Sequence, residues 1–323
     1  AHAAIVEHYL NGASYPVGGA SRMAASIAPV IERTGGKIVV SAEVDQIILD
    51  KSGRAVGVRM SGGREFRAQT VVSDAGAMNT FERLLPADTT GCHAIAAEIS
   101  AVGRSMSYVS LYAGLDKSAA DLGFSGTNIW AYPTPDHDSN VARYYADPAA
   151  PFPVLFISFP SSKDPDFEAR HPGHSTVEVI TMAPYEWFSQ WQDTRWKRRG
   201  SDYDDLKSRF TERLLAGLEQ HVPAARGHIQ HAEISTPLST RHFSNHQAGE
   251  AYGLRATPAR FRLRTLSAQT PVPNLFLTGQ DVALLGVTGA MFGGIVAASA
   301  ILGRNLVGKV TKPAAAPSSA NAA

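Results

Sequence analysis

The stretch Asn274-Leu-Phe-Leu-Thr-Gly-Gln-Asp281, followed by a run from Val282 to Leu302 without a charged residue, restricts the folds open to this chain more than any other. Leu275-Phe-Leu277 reads as a short buried strand, Thr278-Gly-Gln-Asp281 as the turn leaving it, and 287–302 as a glycine- and alanine-rich helix. A strand, a small-residue turn and a helix start with bare backbone N–H groups form a place where an anionic or electron-rich ligand can sit. The same residues also have a membrane reading: the uncharged run has the length of a transmembrane helix, and Gly289-Ala-Met-Phe-Gly293 matches the G-x-x-x-G packing motif. Glycines at 286, 289, 293 and 294 weaken a lone helix, and no aromatic girdle flanks the run, so a span is disfavoured. A third reading, a buried helix closing an α/β sheet, is compatible with ligand binding.

A chain of 323 residues predicts about two domains with an ample core. The net charge of +1, from 30 basic and 29 acidic residues, gives no field that attracts nucleic acid or an acidic membrane. The short basic run Arg195-Trp-Lys-Arg-Arg199 reads as a solvated helix end. Cys92 is the single cysteine, which rules out an internal disulfide and fits a reducing compartment. No signal peptide opens the chain, which reads as if entered partway through. A cytoplasmic protein is expected, with peripheral membrane association left open.

In chain order, 3–9 predicts a short helix that Asn11-Gly12 breaks. Tyr15-Pro-Val-Gly-Gly-Ala-Ser21 is a tight loop before a helix with Met23, Ile27, Val30 and Ile31 on one face, Ser21 as N-cap, Gly35 after its end and Pro29 kinking or stopping it. Alternation then predicts strands at 37–40, 44–49, 55–60 and 65–67, joined by Asp50-Lys-Ser-Gly53 and Ser61-Gly-Gly63 as turns of a small meander. Thr70 to Gly76 is a buried strand with a small-residue end, and Ala77 to Leu85 a helix stopped by Pro86. Further strands are expected at 105–113, 154–159 and 175–182, the last central because Val177, Val179 and Thr181 are β-branched. Ser201-Asp-Tyr-Asp204 reads as a capping box for a helix with Tyr203, Leu206, Phe210, Leu214 and Leu218 on one face. The aromatics Tyr185, Trp187, Phe188, Trp191 and Trp196 suit either core or a large apolar ligand.

His228-Ile-Gln-His231 and His242-Phe-Ser-Asn-His246 lack the further ligands of a metal site, and no metal is expected. No Ser-His-Asp order, paired-carboxylate motif, Walker A or C-x-x-C is present, so no catalytic side-chain set can be named. Small-residue turns at strand-to-helix junctions suit a protein whose chemistry belongs to a bound cofactor. The expected divisions are 1–90 with 271–306 as a partial cofactor domain carrying the meander, 91–270 as a substrate domain, and 307–323 as a disordered tail.

Tyr15-Pro-Val-Gly-Gly19, Val71-Val-Ser-Asp-Ala-Gly76 with Leu84-Leu-Pro86, and Asn274 to Asp281 with Gly289-Ala290 resemble the C-terminal half of the phytoene desaturase-related flavoproteins. Ser158-Phe-Pro-Ser-Ser-Lys-Asp-Pro165, Pro184-Tyr-Glu-Trp-Phe188, Arg199-Gly-Ser-Asp-Tyr203 and Pro237-Leu238 are similar to the retinol saturase branch, the all-trans-retinol 13,14-reductases. The likeness runs from His2 to Asn305. It implies an α/β (mixed α+β) fold: part of a Rossmann-like FAD-binding domain with an inserted β-meander, beside a mixed-sheet substrate domain. It also implies an FAD-dependent oxidoreductase that saturates or desaturates a carbon–carbon double bond of an apolar polyene or isoprenoid.

Carried onto this sequence, the resemblance places Asp281, after Gly279, at the ribityl–pyrophosphate portion of FAD. It sets Gly286, Val287, Thr288, Gly289 and Ala290 at the flavin pyrimidine edge, where a positive helix end meets negative charge. Val44 would meet the adenine, Tyr15, Gly18 and Gly19 would pass close to the flavin, and His242 and Tyr252 would lie on the substrate side. The family's Gly-x-Gly-x-x-Gly turn and its ribose-binding acid have no counterpart here. FAD binding would therefore need an N-terminal half, in cis or as a partner chain. Amine oxidation on the same fold, and a non-catalytic lipid-binding module anchored by 282–302, are the rival readings.

Overall fold

The computed structural model describes Leu10 and residues 14–310, so the expected helix at 3–9 and the tail from Thr311 lie outside the described residues. In chain order the main elements are α1 (Ser21–Arg33), β1 (Val44–Leu49), β2 (Ala55–Met60), β3 (Glu65–Arg67), β4 (Val71–Ser73), α2 (Cys92–Val102), β5 (Tyr108–Leu115), β6 (Ile129–Ala131) and β7 (Leu155–Ser158). They continue with α3 (Pro160–Lys163), β8 (Ser175–Met182), α4 (Ser201–His221), β9 (Ile229–Ser235), β10 (Leu275–Leu277) and α5 (Gly286–Leu302). The chain forms two compact units, one from residues up to Val40 and Ser107–Ser244, the other from Ser41–Met106 and Asn245 onward.

The first unit is built on a five-stranded sheet in the order β6-β7-β8-β5-β9, every neighbouring pair antiparallel. β8 is central, as its β-branching predicts, and alternates fully: Ser175, Val177 and Val179 face inward with Thr181, and the residues between are half-buried. α4 covers the inner face with Tyr203, Phe210, Leu214 and Leu218, and Leu206 packs at its edge. Phe188 and Trp191 join this core and Tyr185 and Trp187 pack against it, which assigns four of the five aromatics to structure. Trp196 instead stacks on His242 at 4.7 Å between ring centroids.

The expected capping box at Ser201 does not form. Gly200 is the N-cap at φ +95°, a conformation that favours glycine, so Ser201 is already inside the helix and caps nothing. Asp202 uses its carboxylate to accept the Trp191 indole N–H at 2.9 Å. At α1 the N-cap is likewise Ala20 and not Ser21, and no side chain caps it. Its far end follows expectation: Gly35, at φ +81°, and Gly36 donate to the carbonyls of Glu32 and Ile31, a Schellman closure. Pro29 does not stop the helix, which continues to Arg33. No residue of α1 is buried, although Met23, Ile27, Val30 and Ile31 recur at helical spacing as expected.

The second unit holds the β1-β2-β3 meander and a parallel pair, β4 with β10, in the register Val71↔Leu275, Val72↔Phe276, Ser73↔Leu277. Ile47, Ala55, Val71, Leu275 and Leu277 pack with Phe81 and with Ile95 and Ile99 of α2. The expected helix 77–85 is a short α-turn, Ala77–Asn79, that widens into a π-turn, Thr80–Leu84, and Leu85 is already extended before Pro86. The expected strand at 37–40 is absent: Ile38, Val39 and Val40 pair with no strand among the described residues and are exposed. The span considered at 282–302 is shortened to α5, 17 residues from Gly286, and among the described residues no helix is long and apolar enough to cross a membrane.

Leu214 is fully buried between α4 and the sheet. Leu214→Ala is expected to destabilise the first unit by about 2–5 kcal/mol, measured by urea denaturation, and a change below about 0.5 kcal/mol would show that this helix face is not core.

Candidate cofactor-facing site

β4 and β10 run parallel and end side by side, so the turns that leave them, 74–76 and 278–281, are brought together by the sheet register. The Thr278 amide continues the ladder by donating to the Ser73 carbonyl at 3.0 Å. Gly279 (φ +84°) follows, a conformation strained for other residues, and a Cβ there would lie 1.8 Å from Asp74 Oδ1 and have to displace that carboxylate. Desolvation, and after it the charge of Asp281, push the Asp74 carboxyl above its ordinary range, while His246 pulls it back.

Asp281 is only 5% exposed. Its Oδ2 accepts the Ala77 amide at 2.8 Å, at the start of the α-turn after β4, and its Oδ1 accepts the Leu254 amide at 3.1 Å. Arg260, 2% exposed, donates to the Leu254 carbonyl at 2.9 Å and to the Gln280 carbonyl. A buried acid and a buried base thus tie the strand-end turns and the 254–260 segment together through backbone groups. Beside them is a cavity of about 10 Å³, lined by Gly76, Asn79, Arg104, His246, Glu250 and Asp281 among others, with room for one water. Arg104 Nε is buried and without a hydrogen-bond partner.

α5 starts on this support. Its N-cap, Leu285, supplies no side-chain cap, and the Gly286 amide donates to Gln280 Oε1 at 3.3 Å. A Cβ at Gly286 would meet nothing within 4 Å, and Val287 beside it is exposed. Gly289 and Gly293 differ. Their Cβ positions would fall 1.8 Å from the Leu284 carbonyl oxygen and 2.2 Å from that of Gly279, so close packing of the chain's own backbone leaves no room for a side chain at these two glycines.

Among the sequence-predicted positions, the structure brings Gly279 and Asp281 into one turn that leads to Gly286, Val287, Thr288, Gly289 and Ala290 at the start of α5. Val44 opens β1, opposite Met60 in the meander. The Tyr252 amide donates to Ser105 Oγ, and its side chain is exposed. Tyr15, Gly18, Gly19 and His242 belong to the first unit. There the Gly18 amide donates to Asp164 Oδ1 at 2.9 Å and holds that carboxyl below its ordinary range, while burial and then the Asp164 charge push the Tyr15 hydroxyl up. The sequence reading missed Asp74 and Arg260. Asp74 ends a buried strand with the same small-residue pattern as Thr278 to Asp281, and that repetition was a signal; Arg260, one of several arginines between 255 and 264, carries none.

The residues present fit one side of a flavin: a helix start whose Val287 and Thr288 amides have no side-chain cap, an open glycine and an apolar exposed neighbour, on a support tied by buried hydrogen bonds. Comparison with known proteins agrees. The family model described as flavin containing amine oxidoreductase matches residues 4–302. The all-trans-retinol 13,14-reductase of Danio rerio is 38% identical over 94% of this chain and 52% of its own length. Prolycopene isomerase 2 of an Oncidium hybrid cultivar is 27% identical over 77% of this chain and 39% of its own length. The chain therefore spans about half the length of the retinol reductase it matches. An oxidoreductase structure from Methanosarcina mazei superposes with a TM-score of 0.57 at 16% identity, covering 90% of this chain and 55% of that one, which shows the shared mixed α/β fold.

Asp281→Ala leaves the Ala77 and Leu254 amides buried without acceptors. The expected cost is about 1–3 kcal/mol for each unpaired amide, read by urea denaturation before any ligand is added, and unchanged stability would refute the tying role of this carboxylate.

Proposed function

We infer that this chain, which belongs to the flavin containing amine oxidoreductase family, supplies the C-terminal portion of an FAD-dependent oxidoreductase acting on a carbon–carbon double bond of an apolar polyene or isoprenoid. One observation carries the cofactor half of this reading: the buried Asp281–Arg260 support leads into the start of α5, where no side chain caps the Val287 and Thr288 amides, beside Gly286, at which an added Cβ would meet nothing. The Val287 and Thr288 amides in the first turn and the positive end of the helix there favour negative charge on whatever they face. A bound flavin supplies hydride transfer. The chain's own part is to hold the flavin's electron-rich edge, with Asp281 fixing the turn from behind, and to shield it from water with exposed apolar residues such as Val287 and Met291.

The polyene half rests on the relatives, one named for all-trans-retinol and one for prolycopene. The family description mentions amines, but neither of these names does. The remaining FAD contacts are assigned to an N-terminal half, in cis or as a partner chain. The parallel pair β4-β10, a two-stranded sheet, supports this, because parallel sheets are stable when extended and covered on both faces, and Val72 of β4 is 47% exposed.

The test is to prepare the chain together with the N-terminal half of such a flavoprotein, release any bound flavin by denaturation and identify it, then ask whether all-trans-retinol or an alkylamine exchanges electrons with it. FAD in near-equimolar amount and exchange with the polyene are expected. A flavin-free preparation, or exchange with the amine alone, would overturn the reading.

A further inference from the structure

The basic run Arg195-Trp-Lys-Arg-Arg199 is not the solvated helix end that its sequence suggests. It is a tight turn closed by an antiparallel bridge between Arg195 and Arg198, with the Arg198 amide donating to the Arg195 carbonyl at 2.9 Å. Lys197 stands in the turn at φ +60°, a left-handed conformation that is unfavourable for a non-glycine residue. Arg199 anchors the turn: its guanidinium donates to the carbonyls of Trp191 and Thr194 at 2.9 and 3.0 Å and lies 5.5 Å from the Tyr203 ring centroid. The turn is thus held by its own contacts, and Arg195, Lys197 and Arg198 are left exposed on it. Among the described residues no ion pair engages any of the three. Like charges this close repel one another, and an external anion relieves the repulsion.

Trp196, within the same turn, is half-buried and belongs to neither core. Its ring stacks on His242 with 4.7 Å between centroids and 3° between planes, and meets the Phe243 ring edge-on at 5.0 Å. Both partners come from the helix Pro237–Ser244, and all these residues lie in the first unit. Phe243 is 75% exposed, so an aromatic knob stands open beside three unpaired cations. A free phosphate would satisfy the cations and leave the rings without a use; an apolar small molecule would do the reverse. A single-stranded nucleic acid stacks its bases on open aromatic faces, whereas these rings pack face and edge on one another. The surface of an anionic bilayer answers both features. Lipid phosphates and carboxylates neutralise the cations, and Trp and Phe rings settle at the headgroup level. Attraction of this kind acts within about a Debye length, so the near-zero net charge of the whole chain does not oppose it.

We propose that the turn 195–198 and Phe243 form a docking surface by which this protein binds reversibly to an anionic lipid bilayer, with Trp196 and Phe243 entering the headgroup layer and Arg195, Lys197 and Arg198 meeting the lipid charges. The surface itself is independent of the flavin chemistry. Its use, collecting an apolar substrate from the phase in which such a molecule dissolves, rests on the polyene reading above.

The experiment uses the chain completed with its N-terminal half and vesicles of phosphatidylcholine with or without phosphatidylserine, a brominated phosphatidylcholine serving as tryptophan quencher. Binding to the phosphatidylserine vesicles, weakened by salt, is expected, with quenching that Trp196→Phe removes although Trp130, Trp187 and Trp191 remain. Replacing Arg195, Lys197 and Arg198 together by Glu is expected to lower vesicle affinity by about 100-fold or more, and Phe243→Ser by about 10-fold. All four side chains are exposed, and an unchanged circular dichroism spectrum shows that each variant is folded. Vesicle affinity unaffected by the charge reversal, quenching that survives in Trp196→Phe, or a Trp196 that acrylamide cannot reach in the completed protein would overturn the surface. Release from vesicles by inorganic phosphate but not by chloride of equal ionic strength would overturn it in favour of a free anion, and tighter binding to polyuridylate than to vesicles in favour of a nucleic acid. Vesicle binding as expected, without electron exchange with all-trans-retinol, would leave the surface standing and overturn the polyene reading alone.

Discussion

The second unit depends on how two buried charges are satisfied. Asp281 and Arg260 are almost without solvent, yet no direct ion pair joins them; each is spent on backbone groups, Asp281 on the amides of Ala77 and Leu254, Arg260 on the carbonyls of Leu254 and Gln280. Their mutual field still matters, since burial disfavours the Arg260 cation and the Asp281 charge supports it. The consequence is geometric. Turns that would otherwise be free loops are fixed from behind, and they lead into the start of α5, where Gln280 takes the Gly286 amide and no side chain caps those of Val287 and Thr288. Preorganised amides are what a site needs to favour negative charge without rearranging for each turnover.

The first unit divides its work between the faces of one sheet. The inner face is closed by α4 and by Phe188 and Trp191, which leaves little there for a ligand. The outer face keeps Trp130 and Tyr112 open. Alternation along β8 makes this possible, because a single strand can commit Val177 and Val179 to the core and hold Glu178 on the other side.

The sequence made legible whatever depends on short-range pattern. The meander, the central β8, the apolar face of α4 and the strand-turn-helix around Asp281 all follow from periodicity and turn chemistry, and the resemblance to the retinol saturase branch agrees with the family match and the relatives found. Pairing between distant residues was not legible. Nothing local distinguishes Gly289 and Gly293, where an added Cβ would strike the chain's own carbonyls, from Gly286, where it would meet nothing. Ser21 and Ser201 look like N-caps in sequence, but the preceding Ala20 and Gly200 take that position, the latter because its φ of +95° suits glycine. Arg195 to Arg199 looks like a helix end in sequence; only the Arg195–Arg198 bridge and the distant His242 and Phe243 rings make it a turn with an aromatic knob.

Whether the start of α5 faces the flavin is tested most directly by amide hydrogen exchange on the completed protein, with flavin and after its removal. Slowed exchange on flavin binding is expected at Val287 and Thr288, with the β4 and β10 amides changing much less. Exchange at Val287 and Thr288 that is the same with and without flavin would contradict this placement.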